Sequence, residues 1–388
     1  MHKLCAFISV ILLSFPMWVS AHHGLANFNL NVDISVQGRI TDIAMINPHS
    51  WVYIEVTNAD GSLTNWKCEL RGGTVLRRSG WTQALFEVGS EITISGSPDR
   101  FEDNTCYTGT ITFANGQSLD RYDQIIETEK YLRQQIEISR LNNGDPDING
   151  DWAAEQVVMT DPRGLEGTLV PLSIADQFEP GEVPPGGNAF QGSRGTPESF
   201  SDDPLATTWE LPSILPLTEA GKAALVGFDA ASTDNPRLRC ETTNIMWDWS
   251  FDNPVNRIEQ TQDEIRLIYG TMIFERTIHL NETIFPQDLE PSRSGYSIGR
   301  WENDVLIVYT QGFLDGILMA GRNTPHSDAM RVVERFSIDA SNGSLVRSYT
   351  AEDEKYFIGQ FRGRDTMFVS SYPWEPYECD DRSYRSDI

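Results

Sequence analysis

Basic side chains are scarce in this chain: 30 Lys and Arg stand against 56 Asp and Glu, leaving a formal charge of −26. A nucleic-acid partner needs a basic face that displaces counterions from phosphates, and an anionic membrane surface makes the same demand. The charge balance argues against both. Such acidity suits solubility through self-repulsion. Long apolar runs are missing beyond the first two dozen residues, and no later segment reaches the ~20 residues that a membrane-spanning helix requires. Cysteine is sparse, five in all, and no pair has the CxxC spacing of a zinc or thioredoxin-type site. No phosphate-binding glycine loop, HExxH helix or dinucleotide fingerprint occurs where a strand would lead into a helix.

The first residues read differently. Lys3 precedes an apolar stretch from Leu4 to Phe15, which is followed by Pro16 and the small-residue site Val19-Ser20-Ala21. This is the pattern of a secretory signal over residues 1–21, and the apolar run is too short for a spanning anchor. Cleavage after Ala21 makes His22 the new N-terminus, so that a free amine and an imidazole sit on one residue, with His23 next to it. Export to a periplasmic or secreted location favours disulfides. Four cysteines remain, Cys68, Cys106, Cys240 and Cys379, and they allow three pairings. Two fall in each half of the chain, which favours Cys68 with Cys106 and Cys240 with Cys379.

The hydropathy pattern predicts a mainly β protein of two domains. Over 22–120, short alternating runs give five strands with a small helix at Gly72 to Arg78 between the third and the fourth. That order is the order of an OB-like barrel, with a β-sandwich as the alternative. Over 121–141, Ile125, Leu132 and Ile136 recur at helical spacing and predict a connector helix. Residues 142–215 are rich in Gly, Pro, Ser and Asp and read as a loop-rich linker. Residues 216–379 hold six candidate strands of an antiparallel barrel or sandwich, and 380–388 form an acidic tail. Glu334 and Arg335 lie on opposite faces of one strand; whichever points inward needs a buried partner, with Arg276 or Arg300 available.

Several stretches resemble a known family. His22-His23-Gly24, Gly38-Arg39-Ile40-Thr41, Asn47-Pro48-His49-Ser50-Trp51, Asn65-Trp66 with Glu69, and Arg77 through Trp81 resemble exported bacterial proteins of unknown function, domain-of-unknown-function family 6152. The resemblance covers roughly residues 22 to 119 and implies export and a small β-barrel, with no activity attached. The later half, through Gly150-Asp151-Trp152, Gly295 to Glu302 and Pro325-His326-Ser327-Asp328, resembles uncharacterised secreted bacterial β domains.

The sharpest chemical candidate is a metal site of His22, His23 and His49. Amine and imidazole nitrogens suit Cu(II), and no thiolate is offered that would favour zinc. His49, just before a strand, is expected at the barrel rim. Asp145 to Gly150 mimics half of a calcium loop, but Gln156 stands where a bidentate glutamate is needed, so a turn leading into Trp152 is the better reading. His326 with Ser327, Asp328, Glu334 and His279 offers a weak hydrolase reading, because Pro-His-Ser-Asp lacks the spacing of a nucleophile elbow. A small or apolar ligand inside the second barrel, lined by aromatics such as Trp249 and Trp301, is the remaining alternative. Together these features describe a binding module rather than an enzyme.

Overall fold

The computed structural model describes residues 28–125, 136–159, 169–172, 177, 215–229, 234–250, 254–272, 274–319 and 324–380. The expected signal over residues 1–21, the candidate ligands His22 and His23, and most of residues 142–215 and 380–388 lie outside them.

The first unit contains β1 (Ile34–Ala44), β2 (Trp51–Thr57), β3 (Leu63–Glu69), α1 (Gly73–Arg78), β4 (Glu91–Pro98), β5 (Thr105–Phe113) and the short β6 (Ser118–Asp120). β1 pairs with β2 and β4, β2 with β3, and β4 with β5, all antiparallel; β3 closes the ring on β5 in parallel. This is the five-stranded closed barrel expected from the order of elements. Alternation turns Val36, Ile40, Val52, Ile54, Ile92, Ile94 and Ile111 inward, around Leu76 and Trp81 of the helical segment. The parallel seam places Cys68 opposite Cys106, and these two form a disulfide.

Closure requires one strand to bend. At Ser95–Gly96 the register of β4 on β5 shifts, and a Cβ on Gly96 would come within 1.9 Å of the Tyr107 carbonyl oxygen. A bulge with glycine at the point of closest backbone approach meets that need.

The second unit is a nine-stranded closed barrel. Its strands are β7 (Gly150–Ala153), β10 (Val255–Gln260), β11 (Glu264–Tyr269), β12 (Phe274–His279), β13 (Tyr296–Glu302), β14 (Val305–Gln311), β17 (Arg331–Asp339), β18 (Ser344–Glu352) and β19 (Phe361–Val369). Outside the barrels lie two small strand pairs, β8 (Val157–Met159) with β9 (Leu169–Pro171) and β15 (Gly316–Met319) with β16 (Thr324–His326), a short helix α2 (Glu219–Ala224), and 3-10 turns at Gln83–Leu85 and Pro236–Arg239. Neighbouring strands of this barrel run antiparallel except β12 and β13, which pair in parallel across Ile278↔Ser297. The long connection 280–295 permits that return, since a parallel neighbour needs a crossover where an antiparallel one needs only a turn.

Several elements differ from expectation: residues 216–379 give the barrel eight described strands rather than six, β10 and β19 being the additions, and β7 and the β8–β9 pair lie in the stretch read as linker. β7 nevertheless closes the barrel between β10 and β19. Its four residues are too few to show a period, and the turn-forming Asp145 to Asn149 dominates the local composition. The middle of the expected connector helix, 126–135, lies outside the described residues. Its described ends are turn and loop, and the Ile136 amide already donates to Ala340 of the second barrel at 2.9 Å.

Described aromatic side chains pack inside the second barrel. Trp249, Tyr269 and Phe336 pack edge-to-face, with ring centroids 5.1 and 6.2 Å from Trp249. Glu334 points inward, bonded by Arg276 at 2.6 Å and Arg347 at 3.2 Å, and Arg347 reaches Asp365 at 2.5 Å. These four side chains are buried and their charges cancel. Arg276 is the partner expected for Glu334. Arg347 also donates to the carbonyls of Ile245 and Met246, so the pairs sit in a hydrogen-bonded frame rather than in bare hydrocarbon.

The two barrels touch directly. Arg78 donates to the Ala154 carbonyl at 3.1 Å, Ser79 donates to Gln156 Oε1 at 3.0 Å, and Gln156 Nε2 returns a bond to the Arg78 carbonyl at 3.1 Å. The end of the chain adds a second tie. The Asn47 amide donates to Glu378, the Asp380 amide donates to Asn47, and Cys379 is disulfide-bonded to Cys240.

Candidate functional site

His49 lies in the bend that carries the chain from β1 into β2, after a cis Asn47–Pro48 peptide. Asn47 secures this bend from below: its Oδ1 accepts from the Thr74 amide in the first turn of α1, and its Nδ2 donates to Thr74 Oγ1, both at 3.1 Å. The half-buried imidazole places Nδ1 3.3 Å from Glu69 Oε1. Glu69 is the last residue of β3, drawn to this position because it pairs across the sheet with Trp51 and across the parallel seam with Tyr107.

Glu69 is held on its other side. Arg121 Nη2 lies 3.1 Å from the same Oε1, and Nη1 donates to the Glu69 carbonyl at 2.5 Å. The Arg121 guanidinium stacks 4.1 Å above the Tyr107 ring, a cation–π contact that fixes its plane. Burial pushes the Glu69 carboxyl upward, but His49 and then Arg121 outweigh it and hold the group below the usual carboxylate range. Tyr107, buried beside it, has its phenol pushed well above the ordinary value by desolvation. The result is a rim imidazole backed by an ionised carboxylate that is itself locked by an arginine.

Of the sequence-predicted site residues, His49 is at the barrel rim, while His22 and His23 lie outside the described residues. Among the described residues no three His, Cys, Asp or Glu side chains gather as a metal-holding group. Glu69 and Arg121 were not assigned a role from sequence. Glu69 did stand in the Asn65-Trp66…Glu69 motif, and that was the available signal.

The other candidates separate in space. Ser327 Oγ donates to Asp353 at 2.8 Å and accepts from the Ala329 amide, so it caps a loop. His326 is buried beside Phe313, and desolvation lowers its pKa to about 4. Asp328 pairs on the surface with Lys355, Glu334 lies inside the barrel, and His279 stacks on Tyr296. The residues of the hydrolase reading therefore do not form one site. A second serine also fits a known spacing: Gly295-Tyr296-Ser297-Ile298-Gly299 satisfies Gly-x-Ser-x-Gly, a match the sequence reading overlooked. Ser297 lies within β13, however, where its hydroxyl is bonded to Thr310 at 2.9 Å and faces Arg276. A nucleophile elbow needs a strand-to-helix turn. At Asp145 to Gly150, Asp147 accepts from the Asn149 amide and side chain, and Asn149 accepts from the Gln260 amide, the pattern of a turn locked onto β10. Of the aromatics expected to line a ligand pocket, Trp249 lies in the buried core of the second barrel and Trp301 packs partly buried against it.

Fold and site together define a two-barrel β protein, stapled by two disulfides, that presents a His49–Glu69–Arg121 cluster on the rim of its smaller barrel. Residues 10–108 match the family of unknown function DUF6152. That span takes in β1 to β4, α1, the His49–Glu69 pair and both cysteines of the first disulfide. No curated protein and no solved structure matches the chain.

Proposed function

We propose that this is an exported metal-binding protein whose first barrel takes a Cu(II)-class ion through His49, together with the amine and imidazole of His22 after cleavage behind Ala21, and with His23 as a fourth ligand. The observation that carries this reading is the His49 Nδ1 contact with Glu69. A metal-ligating histidine characteristically directs its second ring nitrogen at a carboxylate, which fixes the tautomer and raises the basicity of the ligating nitrogen. Arg121 holds that carboxylate in place from its other side. Nitrogen ligands without thiolate suit copper, which heads the affinity order for divalent ions. The family match adds no activity to this reading.

The test is a Cu(II) titration, followed by electron paramagnetic resonance, of protein purified from an exported preparation with its N-terminal mass verified. One equivalent is expected to bind with nitrogen hyperfine structure. Glu69→Gln is expected to weaken binding by about 10- to 100-fold, and His49→Ala by at least as much. Equal affinity in wild type and His49→Ala would sink the proposal.

A further inference from the structure

The two disulfides have different surroundings. Cys68 and Cys106 are fully buried in the parallel seam of the first barrel, and each is 0% exposed. Cys240 and Cys379 are both half-buried, at the surface where the second barrel meets the chain end. Attack on a disulfide needs an approach path for a thiolate to one of the sulfurs, so access separates the pairs before any other property does.

The accessible pair also holds something. Residues 374–380 cross from one barrel to the other. Trp374 is tied to the second barrel by the hydrogen bond its backbone amide donates to Asp151 Oδ2 at 2.9 Å and by the Arg257 guanidinium 5.5 Å over its ring. Glu375 then pairs with Arg77 of α1 at 3.2 Å. Cys379 runs parallel beside Asn47, with the Asn47 amide donating to Glu378 and the Asp380 amide donating to Asn47, both at 3.1 Å. Cys240, reached over a sequence separation of 139 residues, anchors this last segment back to the second barrel. The bond thus clamps the strip that lies on Asn47, two residues before His49.

We propose that Cys240–Cys379 is a thiol-reducible clasp: a dithiol opens it selectively, the strip 375–380 leaves Asn47, and the Asn47–His49 bend loosens while Cys68–Cys106 stays closed. The dithiol's first thiolate attacks one sulfur of the pair and forms a mixed disulfide, releasing the other cysteine as a thiolate that takes up a proton. The second thiol then closes the reagent's own ring, freeing the remaining cysteine. Two electrons and two protons pass to the protein, and the dithiol leaves as its cyclic disulfide. The clasp is independent of whether a metal is bound, and its test contains none.

Native full-length protein is treated with graded dithiothreitol, alkylated and mapped by mass spectrometry, with hydrogen exchange followed in parallel. Cys240 and Cys379 are expected to label at least about tenfold faster than Cys68 and Cys106, and the Asn47 and Asp380 amides to exchange at least about tenfold faster once the outer pair is open. A Cys240→Ser, Cys379→Ser variant should exchange at the opened rate without reductant; should it not fold, the titration of wild type decides alone. Simultaneous labelling of all four cysteines, or unchanged exchange at Asn47 with the outer pair reduced, overturns the proposal.

Discussion

His326 is a histidine that the fold keeps neutral. Its ring is enclosed by Phe313 and by the backbone at Gly316, where a Cβ would come within 2.6 Å of Nε2, and desolvation lowers its pKa from 6.5 to about 4. In the unfolded chain the same ring takes up a proton below about pH 6.5, so between pH 6.5 and 4 the unfolded state binds the extra proton. Stability therefore falls as pH drops through that window. The full effect is about 3 kcal/mol at 1.36 kcal/mol per pKa unit. Urea unfolding at pH 7, 5.5 and 4.5 should show this loss in wild type and a flatter dependence in His326→Gln. Parallel curves for the two proteins would show that the ring is not buried neutral. Glu69 acts in the same direction but lower on the scale: its depressed carboxyl gives stability that is present above the ordinary carboxylate value and lost only as pH falls through the folded one. The Glu69 loss therefore falls below the pH 7 to 4.5 range of that series, which reads His326 with little contribution from Glu69.

At the level of single elements, closure of the first barrel depends on Gly96. A methyl group there meets the Tyr107 carbonyl, a backbone atom locked in the β4–β5 ladder that cannot swing aside. Gly96→Ala is expected to cost about 3 kcal/mol in a urea denaturation monitored by circular dichroism, whereas alanine at the open turn Gly116, whose Cβ would meet nothing but whose φ is +84°, should cost only the roughly 1–2 kcal/mol of left-handed backbone. Equal effects at the two sites would remove the bulge argument. This strand pattern was readable in the sequence because Ile34, Val36 and Ile40 of β1, and Ile92 and Ile94 of β4, alternate with polar residues, and a half-buried strand imposes that period. The small helix was readable from its place between the third and fourth strands. β7 was not, since Asp151 and Trp152 take their strand character from partners more than a hundred residues away: Asp151 from Arg257, which pairs with it at 2.7 Å, and Trp152 from the wall of the barrel.

Across the whole molecule, the site was half legible for the same reason. His49 could be placed at the rim from the strand that follows it. Glu69 and Arg121 come to it through the parallel β3–β5 seam and the turn after β6, and those pairings are long-range facts that no local spacing encodes. The junction between the barrels is also long-range, and it makes a prediction about cooperativity. Arg78, Ser79 and Gln156 exchange three buried hydrogen bonds, so each barrel's loss exposes unpaired groups on the other. Wild type is then expected to melt in one calorimetric transition. Arg78→Met combined with Gln156→Leu removes those bonds while leaving the Asn47 tie and both disulfides in place. The smaller barrel should then melt first, separated from the larger by about 4 °C or more, the shift that roughly 1 kcal/mol produces in a domain of this size. A single undivided transition in the double variant would mean that the chain-end strip, rather than the Arg78–Gln156 contact, is what couples the two barrels, and hydrogen exchange at Asn47 in the same variant would then be expected to match wild type.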